Sequence, residues 1–268
     1  MPSLSMAYSP CPNDTFMFCD VAAGNLAGSG YDMKVHLHDV ETLNRLALSG
    51  TYDLTKVSFH TYLLIRNQYQ LLDAGAALGF GCGPLVVAGK SLPAPLPADT
   101  TVAVPGELTT AHLLLRLWAP NLSRKVFAPY DRIMEYVVSG HADAGVIIHE
   151  SRFVYREAGL MCLADLGEWW ETTTGHPIPL GCVVARKSLG TQVITQIEDL
   201  LRQAILRSQA NPDRTRDYVG RHAREISADV QRQHINMFVN EFSLSLGEKG
   251  RAAVTELERR ARLAGVIP

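Results

Sequence analysis

Cysteine is scarce in this sequence, and the few cysteines that occur form no recognisable pattern. The five cysteines among 268 residues are scattered, odd in number and without a C-x-x-C pair. A cysteine-based zinc site needs closely spaced pairs, and a disulfide framework normally uses an even set. The sequence therefore predicts free thiols in a reducing compartment.

An excess of charge and long apolar runs are also missing. The formal net charge is −2, with 19% charged and 47% hydrophobic residues. This balance offers no electrostatic attraction to nucleic acid or to an anionic membrane. No segment reaches the roughly 20 apolar residues that cross a bilayer, and no basic and apolar signal segment is recognisable. We expect a cytoplasmic globular protein with neither nucleic acid nor a membrane as partner.

Several catalytic signatures are absent as well. There is no G-x-S-x-G elbow, and the pair His149-Glu150 lacks the second histidine of an H-E-x-x-H zinc helix. The glycine-rich segment 79–83 has the spacing G-x-G-x-G and precedes a strand, whereas a dinucleotide loop follows a strand with G-x-G-x-x-G. No cysteine stands in an obvious nucleophile context. These absences leave acid–base chemistry without a metal or a covalent intermediate.

The most informative stretch that is present runs from Gly140 to Phe153. Small and apolar residues from Ala144 to Ile148 predict a short strand that is buried on both faces, as in a parallel sheet covered by helices. His149 follows this strand directly. Ligands in open α/β sheets bind at the carboxyl ends of strands, so we expect this imidazole at a crevice. An unperturbed pKa of about 6.5 suits it to act as a general base.

Three further segments place polar groups at strand ends or helix starts. Two are potential helix caps after the first strand, two end the strand 53–59, and two begin a helix whose free N–H groups can hold an anion. Each group also fits an ordinary cap or surface position, and a lone histidine after a buried strand is more often structural than catalytic. The six residues are Asn13, Asp14, Lys56, Ser58, Thr110 and Ala111.

Two similar apolar segments indicate how the chain is divided. Residues 83–90 and 180–187 have closely similar sequences and bracket a region with its own βα units. We predict an α/β protein of two lobes with a ligand cleft between them, in which strands 85–88 and 181–185 cross between the lobes. The predicted boundaries are residues 1–88 plus 186–268 for lobe 1 and residues 89–185 for lobe 2.

Four blocks of the sequence form one recognisable pattern. They are Ser9–Phe16 (S-P-C-P-N-D-T-F), Asp39–Asn44, Leu54–Ser58 and Gly145–Phe153 (G-V-I-I-H-E-S-R-F). In this order, and over nearly the whole chain, they resemble the 1,4-dihydroxy-6-naphthoate synthase family of the futalosine route to menaquinone. Glu107 and Leu108 look variable, which bears on fine substrate contacts rather than on the activity.

The resemblance implies a periplasmic-binding-protein-like fold of type II and a cytoplasmic carbon–carbon lyase, for which we expect neither cofactor nor metal. Its substrate would be cyclic dehypoxanthine futalosine, a carboxylated bicyclic small molecule, and its product 1,4-dihydroxy-6-naphthoate. The family's catalytic base corresponds to His149. Asn13 and Asp14 are expected to shape the same cleft. The substrate-contacting residues that the resemblance implies are Lys56, Val57, Ser58, Thr110 and Ala111.

Two other functions remain compatible with the sequence. A plain solute-binding module would use the same two-lobed architecture, because fold does not decide function. Chorismate dehydratase, an enzyme of the same pathway, shares the fold as well. Binding without turnover would indicate the first alternative, and turnover of chorismate derivatives would indicate the second.

Overall fold

The computed structural model describes residues 2–25, 30–224 and 227–268, and within them the strands form two sheets. The first sheet has the order β2-β1-β3-β11-β4, and β5 also pairs with β11. Strands β1, β2 and β3 are parallel, whereas β11 is antiparallel to β3. The strands of this sheet are β1 (Ser3–Tyr8), β2 (Asp32–Leu37), β3 (Leu54–Ser58), β4 (Tyr69–Leu71), β5 (Ala77–Gly79) and β11 (Ile178–Arg186).

The second sheet has the order β10-β6-β9-β7-β8. Strand β9 lies at its centre, parallel to β7 and antiparallel to β6. The strands are β6 (Leu85–Ala88), β7 (Val102–Val104), β8 (Lys125–Phe127), β9 (Ala144–Ile147) and β10 (Met161–Asp165). We call the part of the molecule built on the first sheet the first lobe and the part built on the second sheet the second lobe.

Helices cover both sheets. The helices of the first half of the chain are α1 (Pro12–Ala22), α2 (Val40–Leu48), α3 (Phe59–Ile65), α4 (Thr110–Trp118) and α5 (Ile133–Val138). Those that follow are α6 (Ser151–Val154), α7 (Leu166–Thr174), α8 (Thr191–Ala210), α9 (Arg216–His222), α10 (Ala228–Phe238), α11 (Glu241–Leu244) and α12 (Gly247–Leu263). No helix in the described ranges is long and apolar enough to cross a membrane.

The two crossover strands lie in the opposite lobes to those predicted. Leu85–Ala88, assigned to lobe 1 from the sequence, pairs with β9 and β10 of the second sheet. Residues 181–185, assigned to lobe 2, belong to β11 and pair with β3 of the first sheet. The chain therefore changes lobes just before each of these strands. The two strands have similar sequences because each is buried in a sheet, and burial alone does not specify which sheet.

The start of helix α1 also differs from the prediction. The sequence suggested Asn13 or Asp14 as a helix cap, but the helix begins at Pro12 and Cys11 occupies the cap position. Proline is favoured in the first turn because its missing N–H would have no helical partner there. Both polar side chains are thereby inside the first turn, and both are buried.

Strand β9 is the buried central strand that the apolar run predicted. All four of its residues are buried. Gly145 is required by helix packing, because a Cβ there would lie 2.7 Å from Ile133 and 2.8 Å from Val137 on α5. The helix thus lies directly against the strand. The strand ends at Ile147, one residue earlier than the apolar run predicted, and Ile148 and His149 follow it.

Gly83, in the glycine-rich segment 79–83, lies directly against Gly167 of helix α7. A Cβ added to Gly83 would lie 2.3 Å from the backbone N and Cα of Gly167. The two backbones therefore approach each other more closely than any side chain permits. This explains the last glycine of the segment 79–83 without a nucleotide. The segment carries the chain from the first lobe into the second.

Candidate active site

A cavity lies between the two lobes. The first lobe contributes the ends of β1 and β3, and the second contributes the start of α4 and the residues after β9. All eight residues that the sequence and the resemblance predicted for the site line this one cavity. They are His149, Lys56, Val57, Ser58, Thr110, Ala111, Asn13 and Asp14.

His149 has an unusual backbone conformation. Its φ angle is +55°, and among the described residues it is the one non-glycine residue with a positive φ. Left-handed conformations cost an ordinary L-residue on the order of 1–3 kcal/mol, and such strain is concentrated at functional sites. The turn makes the chain leave β9 abruptly and directs the imidazole to the cavity wall.

The imidazole of His149 is neutral at physiological pH. Burial lowers its pKa to about 4, with the Asp14 carboxylate opposing this effect and the Lys56 ammonium adding to it. The Tyr130 ring packs edge-on at 4.9 Å between ring centroids. Although enclosed in this way, the side chain is only half-buried and lines the cavity. It therefore offers an unprotonated nitrogen to the cavity at neutral pH.

Asp14 and Lys56 form a buried ion pair beside this imidazole. Lys56 Nζ lies 2.8 Å from Asp14 Oδ1 and donates a second hydrogen bond to the Gly75 carbonyl at 2.9 Å. Asp14 also accepts from Ser9 Oγ at 2.7 Å and from Asn13 Nδ2 at 2.9 Å. Lys56 is thus largely engaged inside the protein. Burying both charges is tolerable because each is paired and hydrogen-bonded.

The hydroxyls of Ser58 and Thr110 are not equivalent. Ser58 Oγ accepts from Asn44 Nδ2 at 3.1 Å, so its proton remains available for a ligand. Thr110 Oγ1 donates to the Leu180 carbonyl at 2.7 Å and accepts from the His60 amide. Thr110 is one of the substrate-contacting residues that the resemblance implies, but its hydroxyl is already engaged within the protein. That hydroxyl connects α4 to β11 in the other lobe.

The start of α4 nevertheless offers backbone donors. Thr109 is the cap: it accepts from the His112 amide at 3.2 Å and donates to the Gly106 carbonyl at 2.8 Å. The amides of Thr110 and Ala111 belong to the first turn, where no helical carbonyl is available to them. Both residues line the cavity. A helix N-terminus at this wall favours an anionic or oxygen-bearing ligand group.

Comparison with known proteins identifies the family. The profile of a family described as menaquinone biosynthesis matches residues 4–263. The chain belongs to this family. It is 44% identical over 274 residues to the 1,4-dihydroxy-6-naphtoate synthase of Streptomyces coelicolor, covering 99% of this chain and 95% of that protein. The enzyme of the same name from Thermus thermophilus is 44% identical over 266 residues, covering 99% and 96%.

Solved structures confirm the predicted fold class. The crystal structure of a protein from Archaeoglobus fulgidus superposes with a TM-score of 0.93 at 33% identity, covering 99% of this chain and 98% of that one. A Candida albicans protein described as having the generic periplasmic binding protein fold gives a TM-score of 0.68 at 14% identity, covering 100% and 91%. This member of the menaquinone biosynthesis family thus has a periplasmic-binding-protein-like fold.

The site of this family member contains a second histidine that sequence reasoning missed. His234, on α10, is completely buried, and its ring is nearly parallel to that of His149, with 5.9 Å between centroids and 13° between planes. Its Nε2 lies 2.9 Å from Asn13 Oδ1. Burial and the neighbouring His149 lower the pKa of His234. The available signal was its spacing of four residues from both Val230 and Phe238 on an otherwise apolar helix face.

The hydrogen bonds fix which nitrogen of His234 carries the proton. The Asp14 carboxylate can only accept, so the Asn13 group that contacts it is the amide NH₂. Asn13 Oδ1 then faces His234 and accepts from Nε2–H. The other nitrogen, Nδ1, lies 3.8 Å from Glu150 Oε2. An ordered chain therefore runs from Lys56 through Asp14 and Asn13 to His234, beneath the His149 ring.

Arg152 also lines the cavity, although the sequence analysis did not place it among the site residues. Its guanidinium donates to the Gly83 carbonyl at 2.6 Å and to Asp165 at 3.2 Å. Asp165 in turn accepts from the amides of Gly167 and Glu168 and so caps α7. These contacts leave some of the five guanidinium N–H groups for a ligand.

One group of side chains has the composition of a metal site. Ligand atoms of Cys11, His149 and Glu150 lie within 4.8 Å of one another. Thiolate, imidazole and carboxylate are all ligands of zinc. Burial, followed by the Glu150 charge, raises the pKa of the Cys11 thiol, which is therefore protonated in the protein alone. A cation here would occupy the His149 nitrogen and prevent it from acting as a base.

Proposed function

We propose that this protein is a carbon–carbon lyase that converts cyclic dehypoxanthine futalosine to 1,4-dihydroxy-6-naphthoate, with His149 as the general base. The observation that carries the proposal is a neutral imidazole facing a cavity between two lobes. The 44% identity to two enzymes named for that product supports the choice of reaction.

The chemistry begins with removal of a proton from the bound bicyclic substrate by His149. A base whose conjugate acid has a pKa near 4 is fully unprotonated at neutral pH, and it is also a weaker base than a free imidazole. Formation of the aromatic naphthalenediol ring then favours cleavage of the bond to the sugar-derived fragment. The imidazolium that forms lies near the Asp14 carboxylate, which stabilises the positive charge.

The cavity walls fit an oxygenated aromatic acid. Leu43, Val57 and Phe238 supply apolar surface for a ring system. The Ser58 hydroxyl and the Ala111 amide are placed to donate to ring oxygens or to the substrate carboxylate. The first turn of α4 and the Arg152 guanidinium add positive potential for that carboxylate. Closure of the lobes would exclude water and strengthen these polar contacts.

The experiment is incubation of the purified protein with the cyclic futalosine compound, followed by mass analysis. We expect 1,4-dihydroxy-6-naphthoate to accumulate in proportion to enzyme concentration. Parallel incubations with chorismate derivatives serve as the control for the related dehydratase activity. Turnover of those derivatives alone, or binding of the cyclic compound without product, would overturn the proposal in favour of a dehydratase or of a solute-binding protein.

The proposal also places the enzyme in the cytoplasm. All five cysteines are free thiols, as the sequence predicted, and three of them are buried. Thiols of this kind persist in a reducing compartment. Fractionation of cells that produce the protein would detect it with cytoplasmic markers.

A further inference from the structure

A second cavity opens beside α4 on the surface of the molecule. His112 and Arg116 of α4 form one wall, and Lys125 and Phe127 of β8 form another. Val266, which follows α12, closes a third side. Because α12 packs on β11 and on α4, the cavity lies where the chain's C-terminal segment meets the second lobe. It is separate from the active-site cavity and does not depend on the proposed reaction.

Every ionisable side chain that lines this cavity is basic. His112 and Arg116 are four residues apart and so share one face of α4. None of the ion pairs between described residues involves Arg116 or Lys125. Lys125 Nζ donates to the Leu122 carbonyl at 2.6 Å, which holds the ammonium in place without neutralising it. The lining of the cavity therefore concentrates positive charge.

His112 has an unused nitrogen at this site. The residue is only 6% exposed, and its Nδ1 lies 2.7 Å from the Glu107 carbonyl. A carbonyl can only accept, so Nδ1 carries the proton. The other nitrogen, Nε2, is buried without a hydrogen-bond partner among the described residues. A buried polar atom left in this way destabilises the folded protein.

The basic groups around His112 repel one another. Burial lowers the pKa of His112, and the positive charges of Lys125 and Arg116 lower it further, whereas the contact with the Glu107 carbonyl and the charge of the Glu107 carboxylate raise it. Burial, and then the Arg116 charge, also lowers the pKa of Lys125. Like charges brought together in a recess destabilise the protein when no ligand is bound. An anion bound among them would remove the repulsion and allow Nε2 to be protonated and to donate.

We propose that this cavity is a binding site for a small multivalent oxyanion, held between Arg116, Lys125 and His112. The planar guanidinium matches the two oxygens of a phosphate or carboxylate, and the ammonium supplies a point charge. The Phe127 ring packs edge-on against the His112 imidazole at 5.2 Å and is 47% exposed, so it forms an apolar rim for the rest of an organic ligand. Phosphate esters and polycarboxylates share this chemistry.

Calorimetric titration of the full-length protein with inorganic phosphate and with citrate tests the proposal. Chloride at equal ionic strength is the reference for non-specific charge effects. We expect saturable binding of at least one of the two anions. The Arg116→Ala/Lys125→Ala variant should bind it at least about tenfold more weakly, in keeping with the loss of two charged hydrogen-bond partners.

The matched control is the Lys90→Ala/Lys249→Ala variant, which removes the same charge from two exposed positions outside the cavity. It should bind as the wild type does. The proposal would be overturned if neither phosphate nor citrate bound saturably. It would also be overturned if the two double variants lost anion affinity to the same extent. Preferential binding of phosphate or of citrate identifies which group the natural ligand carries.

A measurement on the wild type keeps the test independent of how the variants fold. The ring protons of His112, assigned by NMR with a His112→Gln variant, should shift on titration with the same saturation as the heat signal. The active-site imidazole of His149 provides the internal reference and should move less. If saturable heat develops while the His112 signals stay still, the anion binds elsewhere and the assignment is wrong.

Discussion

His149 differs from an ordinary surface histidine in both backbone and charge. Its positive φ turns the chain out of β9, and burial keeps its ring neutral. Neither feature can be deduced from the sequence, because φ and burial depend on how α5 and α10 pack around the strand end. The sequence did predict that a histidine would stand at the carboxyl end of a buried strand. That much follows from the apolar run alone.

His234 gives a prediction at the scale of one residue, and it rests on the proposed function. In His234→Phe the Asn13 Oδ1 atom loses its donor, and the orientation of Asn13 and Asp14 is no longer fixed. We expect product formation to fall about tenfold or more, equivalent to about 1.4 kcal/mol. His234→Gln, which can place an amide N–H near the former Nε2, should lose less. Steady-state kinetics of both variants at pH 7.5 provide the measurement, and equal activity of the two would contradict the hydrogen-bonding role.

The Asp14–Lys56 ion pair links two secondary-structure elements, helix α1 and strand β3. Asp14→Ala leaves the buried Lys56 ammonium without its counter-ion. We expect the free energy of unfolding to fall by about 3–5 kcal/mol, as for other buried pairs broken on one side. Combining it with Lys56→Met removes the buried charge, and the loss should then be smaller. Urea unfolding of the three proteins measures this, and a double variant less stable than Asp14→Ala would be inconsistent with the ion-pair account.

The contact between Gly83 and Gly167 of α7 gives a second prediction about how secondary-structure elements pack. Gly83→Ala places a Cβ 2.3 Å from the backbone of Gly167, and backbone cannot move aside as a flexible side chain can. We expect a loss of about 1–3 kcal/mol in unfolding free energy, typical of overpacking. Gly89→Ala is the matched control, because nothing lies within 4 Å of a Cβ at that position. Comparable stability of the two variants in thermal unfolding would refute the packing argument.

Histidines that are neutral in the folded protein make the stability of the whole molecule depend on pH. Burial lowers the pKa of both His60 and His149 to about 4, whereas the unfolded chain titrates near 6.5. Between these values the unfolded state binds more protons, so the free energy of unfolding falls as pH falls. From pH 7.5 to 5 each histidine accounts for about 2 kcal/mol of lost stability.

Urea unfolding at these two pH values checks this prediction. His60→Asn keeps a donor near the Thr109 carbonyl but cannot titrate, and it should show a smaller loss between pH 7.5 and pH 5. If the wild type is as stable at pH 5 as at pH 7.5, or if the variant shows an unchanged pH dependence, these histidines are not buried neutral groups.

At the scale of the whole molecule, the sequence predicted the two-lobed α/β fold and the convergence of eight residues on one cavity. Lys56, Ser58, Ala111 and His149 stand at strand ends or a helix start, and such positions meet in a crevice whenever two sheets face each other. The sequence could place His234 on an apolar helix face, but it could not place that residue at this site, because α10 lies far along the chain and reaches the site only through tertiary packing. The boundaries at 88 and 185 were misplaced for the same reason, since strand pairing is not local.

The most direct test of the account compares His149→Asn with the wild type, in both binding and turnover of the cyclic futalosine compound. Asparagine tolerates the positive φ at this position and can hydrogen-bond, but it cannot accept a proton. We predict substrate affinity within a few-fold of wild type and a kcat lower by about 10²–10⁴-fold, the range that general bases supply. A His149→Asn protein that folds, binds the substrate and forms naphthoate at close to the wild-type rate would contradict the account.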